Sequence, residues 1–216
     1  MTEKFQEELA GLRKDLMEMG GLAVWMLRTG MKALKEHDST LAGNVVARKT
    51  DLARMDLAIE DKALRLIALF QPVASDLRLI ACVLKMETYL NRVGRYGKDI
   101  AAVAVELGGR PHLGKLVSLP YMTDVAAGMV ESALRAFETG DLKLVEGFSN
   151  QDDELDSMRW SIFRECVTYM MEDPKNITIS AHYIMIARYL ERVADHACKM
   201  AEKIHYMVTG EHIEVK

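Results

Sequence analysis

Residues 187–208 read ARYLERVADHACKMAEKIHYMV, and their apolar positions decide the fold. Ala187, Leu190, Ala194, Ala197, Ala201, Ile204 and Val208 recur at steps of three and four. That spacing puts all of them on one stripe of an α-helix and leaves the charged residues on the other side. The stripe is heptad-like, the pattern of helices lying side by side at a shallow angle. The opening segment has the same rhythm in Phe5, Leu9, Leu12, Leu16, Met19, Ala23 and Met26. Composition agrees: Met is frequent at 15 residues and aromatics make up only 6%, which favours helix over strand.

Working outward, four prolines mark the breaks. Pro72 lies in FQPVASD, Pro111 and Pro120 bracket the GGRPHLGKLVSLP stretch, and Pro174 lies in MEDPKN. Asp38 and Ser39 in HDST, and Asp141 in TGD, are candidate caps of following helices. The expected helices cover residues 3–36, 40–70, 74–107, 120–139, 142–172 and 176–209. Gly94 and Gly97 in NRVGRYGKD read as close helix-packing positions, because a phosphate-binding glycine loop should follow a strand.

The chain also repeats itself. Shifted by one hundred positions, Leu90-Asn91-Arg92-Val93 falls on Leu190-Glu191-Arg192-Val193, and Met55-Asp56 falls on Leu155-Asp156. Ala33-Leu34-Lys35 falls on Ala133-Leu134-Arg135. The fold expected is all-α: two tandem three-helix-bundle repeats, residues 1–107 and 120–216, joined by a linker over 108–119.

Charge and cysteine content narrow the function classes. The net charge is −4, with acids and bases mixed and no basic run, so no nucleic-acid partner is expected. Cys82, Cys166 and Cys198 are scattered, with no CxxC spacing, which reads as buried reduced thiols. The N-terminal MTEKFQEELA has no apolar signal core, and no stretch reaches the roughly 18 apolar residues of a membrane span. A cytoplasmic location is expected. His37, His112, His182, His205 and His212 show no metal-ligand spacing, and no nucleophilic triad or P-loop is present.

The chemistry-bearing feature is acidic. Asp152 and Asp156 stand one helical turn apart, as do Glu191 and Asp195, so each pair shares a helix face. If their two helices pack together, four carboxylates converge and need a cation, a shared proton or a base. Oxygen ligands suit a hard cation such as Mg²⁺, Ca²⁺, Mn²⁺ or ferric iron. The alternative is a solvated face neutralised by Arg159, Arg188 and Arg192. His196 should point about 100° away from Asp195 around the helix.

At this point the residues resemble a known family. Leu190-Glu191-Arg192-Val193-Ala194-Asp195-His196-Ala197-Cys198-Lys199-Met200-Ala201-Glu202 is similar to the third-helix signature LERIGDHAxNIAE of the PhoU family. Gln71-Pro72-Val73-Ala74-Ser75-Asp76-Leu77-Arg78 resembles its QPxAxDLR turn, and Phe5 to Leu12 its opening FxxELxxL. Tyr169-Met170-Met171-Glu172-Asp173-Pro174 matches too. The resemblance implies two three-helix repeats and a non-enzymatic regulator of phosphate uptake and phosphate-starvation signalling. It implies contact with a Pst-type ABC phosphate transporter, through its ATPase subunit, with a phosphate-sensing histidine kinase, or with both. It implies negative regulation when phosphate is plentiful, membrane association only through partners, and a homodimer. It also implies a multinuclear iron or zinc cluster, or another divalent metal, on Asp152, Asp156, Glu191 and Asp195.

Repeat 1 departs from that pattern. Leu52 stands opposite Asp152, Asn91 opposite Glu191 and Arg95 opposite Asp195, so only Asp56 remains of the four acids. A metal-free repeat 1 is expected, with Arg95 paired to Asp56 in place of a metal. Glu87 and Asp99 flank that stretch and are expected to form salt bridges with Arg95, the alternative being a displaced acidic site. Two other function classes compete with the regulator: a metal-dependent hydrolase using the four carboxylates, and a helical scaffold for another partner. The hydrolase lacks a cluster of His, Lys or Ser near its acids.

Overall fold

The computed structural model describes residues 3–114 and 118–215, so residues 115–117 of the expected linker lie outside the described residues. The described residues form seven α-helices and two short 3₁₀ turns, with no strand among them. Repeat 1 comprises α1 (Glu3–Glu36), α2 (Ser39–Ala47), α3 (Lys49–Phe70) and α4 (Ala74–Leu107). Repeat 2 comprises α5 (Ser118–Thr139), α6 (Phe148–Glu172) and α7 (Ile177–Thr209). The expected second helix is present but breaks at Arg48, giving α2 and α3. The expected fifth helix begins instead as a 3₁₀ turn, Leu142–Val145.

Local chemistry sets these ends. Asp38 caps α2 by accepting from the Leu41 N–H at 2.8 Å, as its position before an apolar run requires. Asp141 likewise accepts from the Lys143 N–H at 3.1 Å and opens the 3₁₀ turn. Gly210 ends α7 at φ 81°, a left-handed cap that costs a glycine little.

Every residue of the first predicted stripe is buried, and six of the seven in α7 are. Val208 is the correction: it is 41% exposed, in the final turn of α7. α1 and α3 run antiparallel, with Phe5 against Phe70 and Lys62 Nζ 2.7 Å from Asp15. α1 and α4 touch backbone to backbone. A Cβ on Gly97 would lie 2.5 Å from Leu27 N, and one on Gly30 would lie 2.5 Å from Gly97 O. Gly97 is thus a packing glycine, as its sequence context implies.

The repeats join like helix to like helix. α1 packs on α5, where Leu134 fills the space over Gly20. Arg28 there donates to both oxygens of Glu131 at 3.0 and 3.1 Å and to Asp124 at 2.7 Å. α4 packs on α7 through stacked rings, Tyr96 on Tyr189 and Tyr89 on His196, with centroids 5.3 and 5.5 Å apart. His196 therefore faces away from the acidic face, as the helical period predicts. The linker docks by His112, which stacks on His37 and donates from Nε2 to Lys35 O at 3.2 Å. Its Nδ1 accepts from the Tyr183 hydroxyl at 2.7 Å. All three cysteines are free and buried. No helix of the described residues is long and apolar enough to cross a membrane.

Candidate functional site

α6 presents Asp152 and Asp156, α7 presents Glu191 and Asp195, and the two helices pack together. The four acids are near enough to feel one another. Burial first, then the charges of Asp195, Asp156, Asp153 and Glu191, push the Asp152 carboxyl up to about 6. Asp152 Oδ1 is buried with no hydrogen-bond partner among the described residues. Such an orphan is costly, because a desolvated acceptor has lost water without replacement.

The other acids are compensated. Both oxygens of the buried Glu191 contact Arg188, and Arg159 of α6 reaches it at 3.7 Å. Burial still raises the Glu191 pKa, against the pull of Arg188. Asp195 lies 3.8 Å from Arg192 across a half-exposed pair, a weak contact. Asp156 is exposed. The arginines proposed as neutralising groups are thus the observed partners of Glu191 and Asp195. Arg159 also lies over the Trp160 ring at 4.3 Å, which fixes its plane.

The donor chemistry is that of a hard cation: carboxylate oxygens only, with the Asp152 orphan among them. The side chains as placed do not form a ligand set. Among the described residues no three His, Cys, Asp or Glu groups come together as metal ligands. Glu191 is held by its arginines instead of pointing free.

Repeat 1 differs at three of the four corresponding positions and keeps only Asp56. Leu52 is fully buried over Gly94, whose Cβ position would lie 2.5 Å from Leu52 Cδ2. Asn91 donates from Nδ2 to Asp56 Oδ2 at 2.6 Å. The expected Arg95–Asp56 pair does not form, since Arg95 points to solvent and the shorter amide one turn earlier meets Asp56. The other expected pairs of Arg95 fail as well: Asp99 pairs with Lys98, and Glu87 turns inward. Glu87 is 7% exposed, and the Thr88 hydroxyl lies 3.2 Å from its Oε1. Burial first, then the neighbouring Asp56 carboxyl and the Glu60 charge, push its carboxyl up to about 8. Reading salt bridges from spacing alone missed this inward turn; the available signal was Glu87 one turn before Asn91 on the face toward Asp56.

With this geometry in place, comparison with known proteins identifies the class. A family model described as PhoU domain matches residues 16–104 and again 119–204. The chain therefore belongs to the PhoU family. It is 38% identical over 213 residues to the phosphate-specific transport system accessory protein PhoU homolog of Caulobacter vibrioides, covering 98% of this chain and 93% of that protein. Identity to the protein of the same description from Rhizobium meliloti is 37% over 207 residues, 95% and 87% of the two chains. The crystal structure of PhoU from Pseudomonas aeruginosa superposes with a TM-score of 0.90 at 35% identity, covering 96% of this chain and 100% of that one. A phosphate transport system regulatory protein PhoU from Streptococcus pneumoniae gives 0.88 at 25% identity, over 97% and 99%.

Proposed function

We propose that this chain is a non-enzymatic, cytoplasmic regulator that restrains phosphate uptake and starvation signalling when phosphate is plentiful. It acts by contact with the ATPase subunit of a Pst-type phosphate transporter, with a phosphate-sensing histidine kinase, or with both, as a homodimer at the membrane only through those partners. The observation that carries the reading is the match, over nearly the full length, to accessory proteins of phosphate-specific transport. Exposed apolar side chains on the second helices suit a contact role: Leu57, Leu64 and Leu69 on α3, and Trp160, Phe163 and Met171 on α6. The test is co-purification with the transporter ATPase subunit from phosphate-replete cells. Retention by wild type and its loss in Leu57→Glu/Leu64→Glu support the reading; no retention of the ATPase or kinase by wild type sinks it.

A second reading concerns repeat 2, favoured by the orphaned Asp152 Oδ1. Asp152, Asp156 and Asp195, with Glu191 once released from Arg188, would hold a cation, an iron or zinc cluster or another divalent metal. It would supply the positive charge these carboxylates lack. Metal analysis of purified protein beside Asp156→Ala/Asp195→Ala tests it. Stoichiometric metal lost in the variant supports the site; none in wild type after loading removes it.

A further inference from the structure

One ring of the linker bonds to both repeats. His112 Nε2 lies 3.2 Å from Lys35 O at the end of α1, and His112 Nδ1 lies 2.7 Å from the Tyr183 hydroxyl near the start of α7. A carbonyl oxygen only accepts, so Nε2 carries the hydrogen and Nδ1 of the neutral ring is the acceptor. The hydroxyl of Tyr183, a side chain 4% exposed, fills that lone pair. His37 stacks on the same ring with centroids 4.0 Å apart, and its own Nδ1 donates to Gly108 O at 3.2 Å. Gly114 closes the dock at φ 54°, where an added Cβ would run into the Tyr169 hydroxyl of α6.

The charges around the ring offer an added proton no counter-ion. From α1 come the exposed Lys35 and Glu36, with Glu36 4.0 Å from Lys32. Asp38, just beyond, caps α2. From α4 comes Glu106, which meets His182 of α7 at 3.2 Å. From α6 come the buried Cys166 and Glu165, which accepts from the Tyr169 hydroxyl at 3.1 Å. Arg110 of the linker is exposed. Among the described residues neither His37 nor His112 has a carboxylate partner.

We propose that the linker is an acid-released latch: a proton added at His112 Nδ1 undocks it from α1 and α7. The new N–H points at the Tyr183 oxygen, so the hydroxyl hydrogen loses its acceptor. The imidazolium then lies stacked on a second histidine in a partly buried site with nothing to offset its charge. Burial, the largest cause, and the neighbouring His37 hold the ring below its ordinary value of 6.5, against the pull of the Lys35 carbonyl. The undocked ring therefore takes the proton first. Docking is complete above 6.5 and is lost as pH falls below it. The latch needs neither the transport partners nor a metal in repeat 2.

The test uses the full-length chain. Nitrogen NMR of ring-labelled histidine, with His112 assigned by its loss in His112→Gln, should show the Nε2–H tautomer at about pH 8. Hydrogen exchange of the linker, corrected for the intrinsic rate, should show protection falling about fivefold or more between about pH 7.5 and about pH 5. His112→Gln cannot titrate, so its linker should show no such step. Tyr183→Phe removes the donor that favours a neutral Nδ1, so its step should move to higher pH, a change that a merely structural role would not produce. That second variant keeps the test open should His112→Gln misfold. An Nδ1–H tautomer, equal linker protection at both pH values, a step retained in His112→Gln or an unmoved step in Tyr183→Phe would each overturn the proposal.

Discussion

Between α6 and α7 the acids are met by arginines and one oxygen is left over; between α3 and α4 Asp56 is met by an amide, and a leucine stands in place of a second acid. The backbone relation of the helices is shared, since both repeats place their second helix on their third. What differs is how charge is compensated. In repeat 2 Glu191 keeps its charge because Arg188 and Arg159 surround it, and Asp152 has no partner for Oδ1. In repeat 1 the Asp152 position is Leu52, and Asp56 is held by the Asn91 amide. A duplicated bundle keeps its packing while one copy loses its charge cluster. The apolar stripes determine packing, and the acids lie beside them instead of within them.

Four substitutions break or sharpen this contrast. The largest effect is expected from Leu52→Asp, which imposes the repeat 2 residue on repeat 1. It buries an unpaired carboxylate over Gly94 and should cost about 3–5 kcal/mol in urea unfolding. Arg188→Ala removes the main partner of the buried Glu191 while Arg159 remains, so a loss of about 1–2 kcal/mol is expected by the same measurement.

Asp152→Asn should go the other way. It removes repulsion from Asp195 and Asp156, so the variant should gain about 1 kcal/mol at neutral pH without added metal. The sign follows because the Asp152 pKa, about 6, is raised: its favourable protonation is lost as pH rises through that value. The gain should fade as pH falls below about 6, and stability against pH measures it. The smallest effect is expected from Arg95→Ala. Its side chain points to solvent, away from Asp56, so stability should stay within about 0.5 kcal/mol. A larger loss would restore the guanidinium pairing that the sequence spacing implies.

The helices, their caps and the duplication were legible because each depends on short spacings. Asp38 sits where a cap must sit, and the Phe5–Met26 stripe is buried as its period requires. The family was legible from the third-helix and turn signatures. The partners of the charged groups in repeat 1 were not. Arg95 and Asp56 look like a pair by the hundred-residue shift, yet side-chain reach and helix rotation gave Asp56 to Asn91. The break at Arg48 also escaped, since no proline or glycine marks it.

By itself the sequence determined an all-helical duplicated chain, its apolar seams, and which acids stand one turn apart. These are properties of local periodicity, fixed by 3.6 residues per turn. Only the tertiary structure decided which acid meets an amide, which arginine holds which acid and which oxygen is left unpaired. Those outcomes depend on distances of a few ångströms between different helices and on how far each group is removed from water.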